Sequence, residues 1–224
     1  MLDEMAEIPG LARIRLSSLE PADVTPRLLD TFCRHRNIMP HLHLPLQSGS
    51  QAILKRMCRQ YRADEFRKTV ASVKSRLDRP AITTDIIVGF PGETQVDFDH
   101  TVSLAKEVGF AKMHIFSFSP RRGTAAARMQ DAVDSNVIRE RSEILRELDI
   151  QLGLEYRQQF LGERSRVLLE TDGGRACGPG PRGRSERYFT VYLENADRRL
   201  KRNNVVRVKL LKNNENGIVG APLL

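Results

Sequence analysis

Four short motifs place polar side chains at turns where a ligand could be held. Leu44-Pro-Leu-Gln-Ser-Gly-Ser50 closes an alternating apolar–polar run and opens a helix. Gln47 and Ser48 therefore fall at the C-terminal edge of a strand, where βα-barrel enzymes put their ligand contacts, and Ser50 suits the N-cap of the helix. Ile87-Val-Gly-Phe-Pro-Gly-Glu-Thr94 is a tight strand-to-helix turn. Backbone groups near Val88 and Gly89 can approach an adenine or a carboxylate there, beside a helix N-terminus. The spacing is not that of a dinucleotide fingerprint, and Gly92 reads equally well as a turn glycine. Ser117-Phe-Ser-Pro-Arg-Arg-Gly-Thr124 presents Arg121 and Arg122, which suit a phosphate or a carboxylate; a solvated basic loop fits the same residues. His41 and His43 share one strand face. No companion carboxylate has ligand spacing, so they read as polar lining or satisfied core histidines rather than a metal pair. Asp85 with His114 is the one acid–base couple at strand ends that a lyase or isomerase could use.

The elements that must position these residues alternate up to about residue 160. Strands are expected over residues 12–18, 41–47, 82–89 and 112–119. Helices are expected over 26–36, 51–58, 64–77, from a capping box at Thr94-Gln-Val-Asp97, and over 136–159. The helix after Thr94 carries Phe98, Val102, Ala105 and Val108 on one face. The last helix carries Ile138, Leu145, Leu148, Leu152 and Tyr156. Such alternation predicts a parallel sheet of βα units. Covered parallel strands are usually apolar throughout, yet all four alternate here. Ile14 and Leu16 oppose Arg13, Arg15 and Ser17; Leu42, Leu44 and Leu46 oppose His41, His43 and Gln47. Ile82, Ile86 and Val88 oppose Thr83, Asp85 and Gly89, and Met113 and Ile115 oppose Lys112 and His114. A period of two puts each polar set on one face, which predicts a wide or open barrel with a polar interior; a half-exposed mixed sheet is the alternative.

Beyond residue 160 short candidate strands at 165–170, 188–194, 205–211 and 217–221 are separated by glycine, proline and asparagine clusters. Gly173-Gly174 and Gly178-Pro-Gly-Pro-Arg-Gly183 are the clearest, and the pattern predicts a small all-β barrel. The division is residues 1–159 and 160–224. The net charge is +8, and the second part, with 10 Arg and 3 Lys against 7 acidic residues, carries +6 of it. That bias points to a polyanion, nucleic acid rather than membrane, because no basic amphipathic helix accompanies it. No apolar run reaches bilayer length and the acidic start is no signal peptide, so a cytoplasmic protein is expected. Cys33, Cys58 and Cys177 are too scattered for a disulfide framework or a local cluster site and are expected to be ordinary thiols.

Taken in order, four stretches resemble the radical S-adenosylmethionine methylthiotransferases. They are Arg13-Ile-Arg-Leu-Ser-Ser-Leu-Glu-Pro21; His41-Leu-His-Leu-Pro-Leu-Gln-Ser-Gly-Ser50 with Leu54, Met57, Arg59 and Tyr61 behind it; Thr84-Asp-Ile-Ile-Val-Gly-Phe-Pro-Gly-Glu-Thr94; and His114 through Thr124. The first and last look most like the branch that modifies threonylcarbamoyladenosine in tRNA. The resemblance implies an α/β fold: the C-terminal portion of an open radical SAM (β/α) barrel, then a small TRAM barrel (OB-like) that binds RNA. It implies replacement of an adenine C–H by a methylthio group, with S-adenosylmethionine as source of a 5′-deoxyadenosyl radical and of the methyl group. Carried over residue by residue, the S-adenosylmethionine pocket draws on Ser17, Ser18, Glu20, Gln47, Ser48, Asp85, Val88, Gly89, Phe116 and Ser117. Arg121, Arg122, Arg182, Arg184 and Arg187 are the candidates for RNA. The implied partners are tRNA rather than DNA or a membrane, with a reductant and a sulfur donor.

The departure from the family is large. Its C-x-x-x-C-x-x-C motif, its three further cysteines and its glycine–glycine–glutamate segment have no counterpart in these 224 residues. The expectation is a chain that starts about two strands into the barrel, holds no [4Fe–4S] ligands and generates no radical by itself. A standalone RNA-binding module with a scaffold barrel remnant, and a non-radical βα-barrel lyase or isomerase, are the alternatives.

Overall fold

The computed structural model describes residues 1–171, 180–194 and 199–223. The chain divides into two compact units, Met1–Leu152 and Gly153–Leu224. The division falls inside a long helix, and the boundary expected after residue 159 lies at that helix's C-terminal end.

The first unit is a four-stranded parallel sheet in the order β1 (Ile14–Leu16), β2 (Ile38–His43), β3 (Ala81–Val88) and β4 (Lys112–Ser117). Its helices are α1 (Leu2–Ala6), α2 (Pro26–Arg34), α3 (Gln51–Arg56), α4 (Ala63–Arg76), α5 (Gln95–Val108) and the first part of α6 (Ser135–Gln158). Strand and helix order match the expectation, and the all-parallel pairing excludes a mixed sheet. Caps fix the helix starts. Thr25 Oγ1 accepts the Leu28 N–H, Ser50 Oγ accepts those of Ala52 and Ile53, and Thr94 and Asp97 form the reciprocal capping box.

The apolar face of the sheet lies in the core, with Leu42, Leu44, Leu46, Ile82, Ile86, Val88 and Met113 buried. Against it pack Phe66, Val70 and Val73 of α4 and Phe98, Leu104, Ala105 and Val108 of α5, each set at helical spacing. Each such leucine or phenylalanine contributes about 1.5–3 kcal/mol by leaving water. Leu145, Leu148 and Leu152 of α6 join the same core. One face assignment differs from the expectation. On α5 it is Thr101 rather than Val102 that is fully buried, because its hydroxyl accepts the Gly49 N–H and bonds Ser48 Oγ.

The polar face is graded. His41 and Thr83 are buried, whereas His43, Asp85, Ile87 and His114 are half-buried and Phe116 is exposed. The polar row is thus closed low in the sheet and opens at the C-terminal strand edge.

In the second unit β5 (Arg164–Leu169), β6 (Arg182–Arg184), β7 (Thr190–Leu193), β8 (Val205–Asn214) and β9 (Gly217–Pro222) form a closed barrel in the order β5-β6-β7-β9-β8. Val167, Leu169, Val191, Leu193, Val208, Leu210 and Ile218 fill it, alternating with outward polar residues. The strand β6 lies where a turn is expected. Gly183 serves close approach instead: a Cβ there would sit 2.0 Å from the Leu168 carbonyl oxygen, so only glycine lets β6 pair with β5. Gly173 and Gly174 and Cys177 lie outside the described residues.

Candidate functional site

The C-terminal edge of the sheet holds an open cavity of about 500 Å³. Register builds it. Thr83 is paired with His43 on one side and Lys112 on the other, Asp85 with His114, and Ile87 with Phe116. Odd positions of β3 and even positions of β4 therefore rise on one face toward the edge. Gln47, Asp85, Ile87, Phe116, Ser117 and Arg121 are among the residues that line the cavity, together with Phe118, Ser119 and Thr124 from the loop after β4.

Gln47 enters through a turn. The chain leaves β2 at His43, and Gln47 adopts a left-handed φ of 63°. Its N–H donates to the Asp85 carbonyl (2.8 Å) and its carbonyl accepts the Ile87 N–H (2.9 Å), stitching the turn to β3. Phe116 leaves 52% of its surface open on the cavity wall, an apolar ring face of the kind on which a heteroaromatic base stacks.

Below the cavity runs a directed chain of hydrogen bonds. Thr83 Oγ1 is 3.0 Å from His41 Nε2 and 3.0 Å from His43 Nδ1, and His43 Nε2 is 3.3 Å from Asp85 Oδ2. A hydroxyl has one proton. In the tautomer that turns His43 Nε2–H to Asp85, Nδ1 accepts the Thr83 hydroxyl proton and Thr83 Oγ1 accepts from His41 Nε2–H. These histidines are committed to Thr83 and Asp85 as polar lining. The rings of His43 and His114 are 6.0 Å apart. Burial holds the His114 pKa below the usual histidine range, with Asp85 opposing and His43 and Lys112 assisting, so this ring is neutral at pH 7.

The remaining candidates lie elsewhere. Ser17, Ser18 and Glu20 are exposed on the loop after β1. Ser48 is fully buried and bonds Thr101 Oγ1 (3.3 Å) and the Ser50 N–H (3.1 Å). Ser48→Ala is expected to lower the unfolding free energy by about 1 kcal/mol, read from a urea melt. Val88 is buried in the core, and its carbonyl accepts the Phe118 N–H. Gly89 has φ 76°, donates its N–H to Glu93 Oε2, and faces Ile138, which a Cβ would strike at 2.4 Å. Arg122 is exposed outside the cavity lining. In the barrel Arg182 is exposed, Arg184 stacks on Tyr188 (4.8 Å) and reaches Glu170, and Arg187 stacks on Phe160 (4.8 Å). Sequence reasoning missed Ile87 and Phe118, although both share the parity of Asp85 and Phe116.

The Radical SAM superfamily model matches residues 2–105. That segment of the chain is thus similar to the radical SAM superfamily. It is 42% identical over 170 residues to threonylcarbamoyladenosine tRNA methylthiotransferase MtaB of Thermotoga maritima, covering 76% of this chain and 39% of that protein. The enzyme of the same name from Chlamydia pneumoniae is 38% identical over 221 residues, 98% of this chain and 51% of its own. The tRNA-2-methylthio-N(6)-dimethylallyladenosine synthase of Corynebacterium efficiens is 40% identical over 175 residues, 78% of this chain and 33% of its own. The chain thus spans between a third and a half of the curated relatives it matches. Among solved structures, the radical SAM enzyme coproporphyrinogen III oxidase of Escherichia coli superposes with a TM-score of 0.52 at 15% identity, over 63% of this chain and 32% of that one, a likeness of fold.

The two groups the superfamily implies fit differently. The cavity suits the adenosyl end of S-adenosylmethionine, with an open ring face at Phe116, polar groups at Gln47, Asp85 and Ser117, and apolar walls at Ile87 and Phe118. A [4Fe–4S] cluster is not accommodated by the described residues: Cys33 and Cys58 are exposed single thiols, and no three His, Cys, Asp or Glu side chains form a group that could hold a metal ion. Cys177 lies outside the described residues. No described helix is long and apolar enough to cross a membrane.

Proposed function

We propose that this chain supplies the adenosyl-binding sheet edge and the RNA-binding barrel of a tRNA methylthiotransferase. The observation that carries the reading is the cavity at the strand edge, where an exposed aromatic ring stands among polar groups in a sequence 38–42% identical to such enzymes. S-adenosylmethionine would supply a hydrogen-abstracting radical on one-electron reduction by a cluster that the described residues do not hold, and a second molecule would supply the methyl group. The residues of the chain bind and orient. The Phe116 ring stacks on adenine, the Gln47 amide and the Asp85 carboxylate take hydrogen bonds, and Ile87 and Phe118 keep water from the apolar side.

The substrate in this reading is N6-threonylcarbamoyladenosine beside the anticodon. Its threonyl carboxylate separates it chemically from the dimethylallyl analogue, and Arg121 at the cavity suits a carboxylate. Arg122 stands next to it on the same exposed loop. Arg182, Arg184 and Arg187 put positive charge on the barrel, read as a TRAM domain, and meet tRNA phosphates. The protein works in the cytoplasm.

The test is binding, because the described residues hold no cluster site. Calorimetry should find one S-adenosylmethionine per chain, and a tRNA anticodon stem-loop should bind with an affinity that falls steeply with salt. Salt-dependent RNA binding without S-adenosylmethionine binding would favour an RNA-binding module on a scaffold sheet instead. After anaerobic incubation with iron and sulfide, the desalted 224-residue chain is expected to retain no stoichiometric acid-labile sulfide. Stoichiometric retention would contradict the ligand assignment.

A further inference from the structure

The short segment joining α3 to α4 lies behind the strand edge, yet it touches two loops of the candidate site. Cys58 takes a left-handed φ of 56°, the Cys58 N–H donates to the Lys55 carbonyl and the Arg59 N–H to that of Leu54, so α3 closes abruptly. The turn sends Tyr61 inward, where it is buried with its ring beside Phe66. Its hydroxyl lies 2.8 Å from the Pro45 carbonyl oxygen and 3.1 Å from that of Leu46. Burial pushes the phenol up to about 12, with Glu20 adding to the rise and Arg59 opposing it, so it remains a donor at any working pH. Arg59 Nη1 approaches Glu20 Oε1 at 4.0 Å, on the loop that also carries Ser17 and Ser18.

Pro45 and Leu46 immediately precede Gln47, whose left-handed backbone is unfavourable for any residue with a Cβ and must be held by its surroundings. The bonds of Gln47 to Asp85 and Ile87 hold it from the β3 side, and the Leu46 N–H donates to Thr84 Oγ1 at 2.8 Å. Among the described residues, the Pro45 carbonyl is held from the other side, by the Tyr61 hydroxyl.

We infer that Tyr61 is a positioning residue for the ligand site, its hydroxyl clamping the Pro45 and Leu46 carbonyls so that Gln47 stays turned into the cavity. The inference rests on the reading that this cavity takes the adenosyl ligand. It names a residue outside the cavity lining as a determinant of affinity.

The test compares Tyr61→Phe with Phe66→Leu in the full chain. The first removes only the hydroxyl; the second opens a cavity beside the same ring and keeps the one hydroxyl proton shared between the two carbonyls. Two quantities are read: amide hydrogen exchange at Gln47 and Ile87 without ligand, and S-adenosylmethionine affinity by calorimetry. Tyr61→Phe should speed exchange at those two amides about tenfold and weaken affinity about tenfold, the size of one lost hydrogen bond. Phe66→Leu should speed exchange across the whole unit and leave affinity per folded molecule unchanged. Wild-type exchange and affinity in Tyr61→Phe, or an equal affinity loss in Phe66→Leu, would overturn the inference. Failure of the unsubstituted chain to bind S-adenosylmethionine would instead refute the site reading, and Tyr61's role with it.

Discussion

Replacing Arg141 by methionine is expected to destabilise the first unit by about 3–5 kcal/mol at pH 7, because it strands a buried carboxylate. Arg141 Nη1 is 2.8 Å from Glu93 Oε2 and 3.2 Å from the Glu93 carbonyl, and both side chains are almost wholly buried. Among the described residues, the Gly89 N–H also donates to the carboxylate, at 2.9 Å. Burial raises the Glu93 pKa, and the Gly89 N–H and Arg141 pull it back without cancelling the rise. Loss of Arg141 raises it further. A carboxyl whose folded pKa exceeds its unfolded value of 4.5 contributes stability that is present below 4.5 and lost as pH rises through the folded value. The deficit of Arg141→Met should therefore shrink between pH 7 and about pH 5, as Glu93 takes up a proton in the variant. Adding Glu93→Gln should recover much of the loss at pH 7. Urea melts at the two pH values check both points, and a deficit that ignores pH would place the damage in packing against Phe98, over which the guanidinium lies at 5.3 Å.

The second large effect concerns the ligand. Phe116→Ala is expected to weaken S-adenosylmethionine binding about 5- to 150-fold, the ~1–3 kcal/mol that stacking a base on an aromatic ring contributes. The ring is half-exposed at the cavity wall, so its removal creates no core void, and the melting temperature should hardly move. Calorimetry and a thermal melt on the same sample separate the two. A large fall in melting temperature with unchanged affinity would assign Phe116 to packing and remove it from the site.

Much of the first unit was legible because its signals are local. The Thr94–Asp97 capping box, the helical spacing of Phe66, Val70 and Val73, and the alternation along β3 each report geometry within a few residues. The shared polar face was legible for the same reason, since parity puts His43, Asp85 and His114 on the same side of the sheet. What failed to show depends on partners distant in sequence. Ser48 resembles a ligand residue until Thr101 is seen beside it. Arg141 interrupts the apolar stripe of α6 as a surface charge would, and its burial is explained by Glu93, distant in sequence. Gly183 in a Gly–Pro cluster has the composition of a turn, and its role is set by the Leu168 carbonyl on another strand. The helix α1 is five residues long with no side-chain cap, too short for periodicity to register. Tyr61 appeared as part of a motif, with nothing nearby to say that its hydroxyl reaches back to Pro45 and Leu46.

The central claim is that the strand-edge cavity takes the adenosyl ligand, and an NMR titration of the isotope-labelled chain with S-adenosylmethionine tests it most directly. The account predicts saturable shifts at the amides of Gln47, Asp85, Ile87, Phe116 and Ser117, with the amides of the Gly153–Leu224 unit unmoved. Shifts confined to that second unit, or none at millimolar ligand, would contradict it.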